Sequence, residues 1–181
     1  MYITKVDNSL VSKRTLSQRI CTLDDVHMLV EFQNYVVDHI GNKVIWGMYS
    51  YDYLVKTINN DGYIELYYDE DTFVGFLMLI VNDLEEFNKY RVKDIKFEEA
   101  SIYGGVMISP SYWGNELQKQ MTERLETLSL EKGCKYILAT VSPENSYSYK
   151  NLLDNGYKVI GEKEMGKGLR YILVKELNIV A

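Results

Sequence analysis

Three short stretches in the second half of the chain carry residue types that could hold a ligand and move a group. The first runs through Trp113, Gly114, Asn115, Glu116, Leu117, Gln118 and Lys119, just after Pro110, and opens an amphipathic run. A helix starting here presents unpaired backbone N–H groups and the positive end of its dipole, which suit a phosphate or pyrophosphate. Gly114 permits a tight turn, and Lys119 adds a positive charge in the first helical turn. The plainer alternative is a helix start capped by Asn115, with Gln118 reaching back from the third position. The two alternatives compete for the same N–H donors. The second stretch is Tyr103, Gly104, Gly105 and Val106. Glycines inside a strand mark a bulge or a close backbone approach. A kink there would free the main chain of Val106, Met107 and Ile108 for a ligand amide; otherwise bulky neighbours pack over bare backbone. The third stretch, from Ser142 to Tyr157, holds a capped helix closed by Gly156. Asn145 and Ser148 either serve only to cap it or also face the ligand.

The elements around these stretches follow from periodicity and turn residues. Residues 100–108 read as a strand, and residues 115–132 as an amphipathic helix with Leu117, Met121, Leu125 and Leu128 on one face. Gly133 ends that helix. Residues 136–141 form a continuous apolar strand, and residues 147–155 a helix. The chain holds two prolines, Pro110 and Pro143, and each falls where a strand stops and a helix begins. Earlier, residues 15–20 read as a short strand, and Thr22 with Asp25 as a capping box opening a helix that Gly41 and Asn42 end. A second helix covers residues 51–58. Residues 62–68 and 72–81 form a hairpin around Asp69, Glu70 and Asp71. Residues 83–99 read as a solvated loop with a short helix, or as a mobile wall of the site. Two final strands, 157–164 and 169–177, are joined across Met165 to Gly168. The first ten or so residues could add an edge strand. The order implies a mixed sheet with helices on both faces.

At 181 residues the chain has room for one well-buried core, so one domain is expected over 1–181, with 1–14 as an N-terminal extension. The net charge of −6 argues against a nucleic-acid partner and favours a cationic one. No apolar run is long enough to span a bilayer and the first residues lack a signal-peptide pattern, so a cytoplasmic protein without a membrane partner is expected. Cys21 and Cys134 are far apart in sequence, and His27 and His39 have no ligand-spaced partner, so no metal site is expected.

Taken together, the three stretches resemble the GNAT superfamily of acyl-coenzyme A-dependent N-acyltransferases, across roughly residues 19–177 and most densely across 100–157. The family phrase V-x-V-x-P-x-Y-R-G-x-G-L-G is occupied by residues 106–118, with Val106, Ile108, Pro110, Tyr112, Gly114 and Leu117 in place. Asn145, Ser148 and the Gly156–Tyr157 pair match a second family spacing. Trp113, Glu116 and Gln118 stand at the loop's three anchor positions, where the family has Gln or Arg, Gly, and Gly or Ala. Some relatives carry Gln at the last of these. Leu152 stands where the family often places a tyrosine acid. The resemblance implies an α/β fold whose central sheet is mixed and mostly antiparallel, with six or seven strands, splayed in the middle and flanked by about four helices. It implies acetyl-CoA as cosubstrate, held by Val106, Met107, Ile108, residues 114–119, Asn145 and Ser148. The implied reaction is direct attack by a primary amine of a small molecule or peptide. Glu98 and Glu99 are the candidate bases, with Glu99 preferred, and the acid is either Tyr149, one turn before Leu152, or water. A catalytically inactive acyl-CoA-binding module, or an interaction protein on the same fold, is the alternative. A homodimer is left open.

Overall fold

The computed structural model describes residues 1–7, 10–40, 47–166 and 168–177. The helix stop read at Gly41 and Asn42 and the turn residue Lys167 lie outside the described residues. So do two positions of the expected extension, residues 8 and 9.

Strands β1 (Tyr2–Asp7) and β2 (Leu10–Thr15) pair antiparallel in a sheet of their own. The expected edge strand at the N-terminus is therefore a separate hairpin. The main sheet has seven strands in the order β3 (Ser17–Ile20), β4 (Tyr63–Asp69), β5 (Thr72–Ile80), β6 (Ala100–Ile108), β7 (Tyr136–Val141), β9 (Gly168–Glu176) and β8 (Lys158–Met165). Among the described residues five α-helices flank it: α1 (Val26–Ile40), α2 (Tyr51–Asn59), α3 (Leu84–Tyr90), α4 (Leu117–Glu131) and α5 (Ser146–Asp154). The helix beyond the expected four is α3, the short helix within 83–99. Asp83 caps it by accepting a hydrogen bond from the Glu86 N–H at 3.1 Å.

Each strand of the central hairpin alternates between two apolar faces. On one face Tyr67, Leu77, Leu79 and Val106 meet Leu117, Met121 and Leu125 of α4, together with Leu152 of α5. On the other, Leu66, Phe76, Met78 and Met107 meet Leu29 and Val36 of α1 and Phe87 of α3. A bidentate ion pair fastens α4 to the sheet: Arg124 donates to both carboxylate oxygens of the buried Glu65, at 3.1 and 3.2 Å.

Among the described residues one pairing is parallel, that of β6 with β7, and it lasts for three residue pairs, Ala100 with Tyr136 through Ile102 with Leu138. Beyond them β6 continues to Ile108 and β7 to Val141 without pairing to each other. The resulting splay opens toward the start of α4. A bulge deepens it. On β6, Tyr103 lies opposite Leu79 and Gly105 opposite Met78, so Gly104 is the extra residue. A Cβ at Gly104 would lie 2.9 Å from the Met78 carbonyl oxygen, which is why a residue without a side chain sits there.

Candidate functional site

Backbone alternation decides which groups of β6 face the splay. Ser109 donates its N–H to the Val74 carbonyl at 2.8 Å, so Ser109 and Val74 form a hydrogen-bonded pair. Alternation then assigns Met107 to Phe76 across β5, leaving Val106 and Ile108 with main-chain groups turned the other way. That way lies the splay, from which β7 has withdrawn. Val106 and Ile108 therefore carry the free edge expected of them. Met107 does not: its main chain belongs to the β5 ladder and its side chain to the core. The Ile108 carbonyl accepts the Trp113 indole N–H at 3.0 Å; among the described residues the Ile108 N–H and both main-chain groups of Val106 face the splay.

The start of α4 is uncapped. Asn115 is not its cap, contrary to the plainer sequence alternative. Its Oδ1 accepts the Thr4 N–H at 2.9 Å and its Nδ2 donates to the Tyr112 carbonyl at 3.0 Å. Gln118 does not reach back either; its Nε2 donates to the Ser148 hydroxyl at 3.1 Å. The cap position belongs to Glu116, which makes no side-chain cap bond. The first intrahelical bond runs from the Gln120 N–H to the Glu116 carbonyl. Among the described residues, the N–H groups of Leu117, Gln118 and Lys119 thus remain for an anion, beside the exposed Lys119.

Glu116 takes a left-handed backbone, φ 55° and ψ 18°, and Gly114 another, φ 84°. A side chain at such a position is strained, and this is the position where the related phrase has glycine. Glu116→Gly is therefore expected to raise stability by about 1 kcal/mol. It also removes a carboxylate from the uncapped amides, so affinity for a pyrophosphate-bearing ligand should hold or improve. Chemical denaturation with and without the ligand reads both. A lower midpoint, or a large loss of affinity in a folded variant, would give the carboxylate a positive role.

Asn145 caps α5, accepting the Ser148 N–H at 3.1 Å. Through Gln118 and Ser148 the two expected ligand-facing helix starts meet across the splay. Tyr103 lies beneath them, one residue past the last β6–β7 pair. Its hydroxyl is 3.4 Å from Thr122 Oγ1 and also meets the Gln118 side chain. Its ring stands edge-on to Tyr157, and burial pushes its phenol up to about 12. The sequence marks Tyr103 only as the flank of a kink; its place at the apex follows from where the β6–β7 pairing ends.

Two expected residues are not brought to this point. The Tyr149 ring lies against Tyr171 at 5.1 Å between centroids, over β9, the strand on the far side of β7 from the splay. Glu99 sits in a helical turn before β6, at the paired end, bonded to Lys135 at 2.6 Å. That bond holds its carboxyl below the usual range. Seven residue steps of largely extended chain, up to about 23 Å, separate it from Val106.

The opposite face of the splay is lined by groups no sequence motif marked. The Tyr49 hydroxyl donates to the Gly104 carbonyl at 2.7 Å, using the bulge. Tyr53 stacks on Tyr49 at 4.9 Å and donates to the Glu86 carboxylate at 3.2 Å. Lys89 meets the same carboxylate at 2.6 Å. Tyr90 reaches Thr140 on β7. Burial, and after it the Glu86 charge, raises the Tyr49 and Tyr53 phenols. A separate pocket of about 560 Å³ lies beyond the 109–115 turn, between β1, α1 and β5, and includes no residue of β7 or α5. Among the described residues no group of three or more His, Cys, Asp or Glu side chains gathers as a metal site. Among them too, no helix is long and apolar enough to cross a membrane.

This arrangement is that of an acetyltransferase fold. The profile of the Acetyltransferase (GNAT) family matches residues 29–157, and the chain belongs to that family. No curated protein matches the sequence significantly. Solved structures share the fold at low identity. The Salmonella typhimurium protein yncA, solved with its cofactor acetyl-CoA, is 16% identical with a TM-score of 0.67, covering 93% of this chain and 97% of that one. The paiA N-acetyltransferase of Thermoplasma acidophilum, in complex with coenzyme A, is 17% identical with a TM-score of 0.66, covering 90% and 99%. The ribosomal-protein-alanine N-acetyltransferase of Brucella melitensis is 17% identical with a TM-score of 0.68, covering 89% and 99%.

Proposed function

We propose that this protein transfers an acetyl group from acetyl-CoA to a primary amine, carried by a small molecule or peptide, by direct attack. One observation carries the reading: two sets of free backbone groups, the first-turn amides of α4 and the outer edge of β6, meet at one splay. The residues fit an acyl-coenzyme A. Leu117, Gln118 and Lys119 would hold the pyrophosphate through their N–H groups, with Gly114, Asn115 and Glu116 shaping the turn and Lys119 adding charge. Val106 and Ile108 would bond the pantetheine arm, and Ser148 and Asn145 would form the other wall. Bound there, acetyl-CoA supplies the thioester.

The chain's own groups then have three tasks. An N–H of Val106 or Ile108 faces the negative charge that develops on the carbonyl oxygen. Tyr103, held by Thr122 and Gln118, offers its hydroxyl at the apex to charge developing on sulfur. The amine approaches from the opposite face, past the Tyr49 and Tyr53 hydroxyls and the Glu86 carboxylate that Lys89 also meets. It gives up its ammonium proton to solvent, and the free amine attacks the thioester carbonyl, forming the amide as the C–S bond breaks and coenzyme A leaves as thiolate. Tyr149 and Glu99 stay outside these tasks on geometric grounds. A panel of primary amines, from polyamines to peptide N-termini, tests the reading through release of free coenzyme A thiol. Release above the hydrolysis background is expected for at least one amine. None at any concentration, from a protein that binds coenzyme A, would instead leave a binding module.

A further inference from the structure

The outer edge of β1 is docked on the turn that would hold the pyrophosphate. Gln120 meets Tyr2 as a neighbouring strand would: the Tyr2 N–H donates to Gln120 Oε1 at 3.0 Å, and Gln120 Nε2 donates to the Tyr2 carbonyl at 3.1 Å. Two residues along the same edge, the Thr4 N–H donates to Asn115 Oδ1 at 2.9 Å. Gln120 Nε2 also lies 3.3 Å from the Asn115 carbonyl, so one side chain grips both the hairpin and the turn. Between the two bonded residues Ile3 is buried in the core that includes Leu117 and Met121. Asn115 stands between Gly114 and Glu116, the two left-handed residues. A non-glycine residue keeps such a conformation when its surroundings over-determine it. Here the surroundings are the hairpin bonds on one side and the Tyr112 carbonyl on the other.

We propose that the β1–β2 hairpin, acting through Gln120 and Asn115, holds the 112–116 turn in its anion-binding shape, so that Gln120 is a positioning residue for coenzyme A that need not touch it. The inference rests on the cofactor reading above. It predicts a selective defect. Pantetheine, which lacks the pyrophosphate, uses the β6 edge alone; coenzyme A needs the turn as well. Without Gln120 the turn leaves its competent shape part of the time, and apparent affinity falls by the fraction lost.

The experiment titrates coenzyme A and pantetheine into the parent, Gln120→Ala, Glu116→Gly and the double variant, followed by amide chemical shifts. Gln120→Ala is expected to weaken coenzyme A by about tenfold and leave pantetheine within about twofold. Glu116→Gly, which makes the left-handed turn intrinsic, should recover most of that loss in the double variant. Equal weakening of both ligands would assign Gln120 a general structural role and overturn the proposal, as would unchanged coenzyme A affinity or a double variant as weak as Gln120→Ala. If Gln120→Ala fails to fold, Gln120→Glu keeps one bond to Tyr2 and is read the same way. A Gln120→Ala variant that binds coenzyme A as tightly as the parent would overturn the proposal alone, whereas a parent that binds no coenzyme A would remove the cofactor reading first.

Discussion

Tyr103→Phe is expected to lower acetyl transfer by tenfold to a hundredfold while coenzyme A affinity stays within about twofold, because it deletes one hydrogen bond to a charged group, worth about 1.5–3 kcal/mol. The magnitude follows from the phenol's environment. Burial pushes it up to about 12, so the hydroxyl stays protonated through neutral and mildly alkaline pH. A thiol has a pKa of about 8.5, so complete transfer of the phenolic proton to a thiolate is uphill. The hydroxyl therefore stabilises charge on sulfur, and solvent completes the protonation. The raised pKa also fixes a pH signature: Tyr103 itself should cause no loss of turnover as pH rises toward 10. Tyr149→Phe serves as the contrast. Its ring packs on Tyr171 over β9, and turnover should remain within about twofold of the parent. A large loss in Tyr149→Phe with none in Tyr103→Phe would return the acid to α5.

Much of this fold is legible in the sequence. The elements from β4 onward follow from apolar runs punctuated by Pro110, Pro143, Gly133 and Gly156, because each of those residues ends an element for a backbone reason. The turn–helix at 113–119 and the Asn145 helix were placed by the same local signals. What the sequence hid was tertiary. Whether Asn115 caps α4 depends on the Thr4 N–H, 111 residues away, which takes its oxygen. Whether Met107 is free depends on strand alternation relative to β5, which only the register reveals. Glu99 looked close to the cleft because it precedes β6 in sequence, yet a strand displaces its ends by its whole length. The Tyr49–Tyr53–Glu86 face was invisible because single tyrosines in a chain with 16 of them carry no pattern. Leu152 is plain in retrospect: it is buried in the α4–α5 core and holds the helix down, so the phenol at the splay must come from another element.

Thermal unfolding with saturating coenzyme A tests the central claim most directly, namely that the uncapped α4 amides and the free edge of β6 form a coenzyme A site. A ligand that binds only the folded state adds about 2.7 kcal/mol at a hundred times its dissociation constant. For a chain of this length that corresponds to a rise of about 5–10 °C in melting temperature. The rise should persist without metal, and coenzyme A should give more of it than pantetheine because the α4 amides contribute only to the pyrophosphate. A melting temperature unmoved by saturating coenzyme A would contradict the claim.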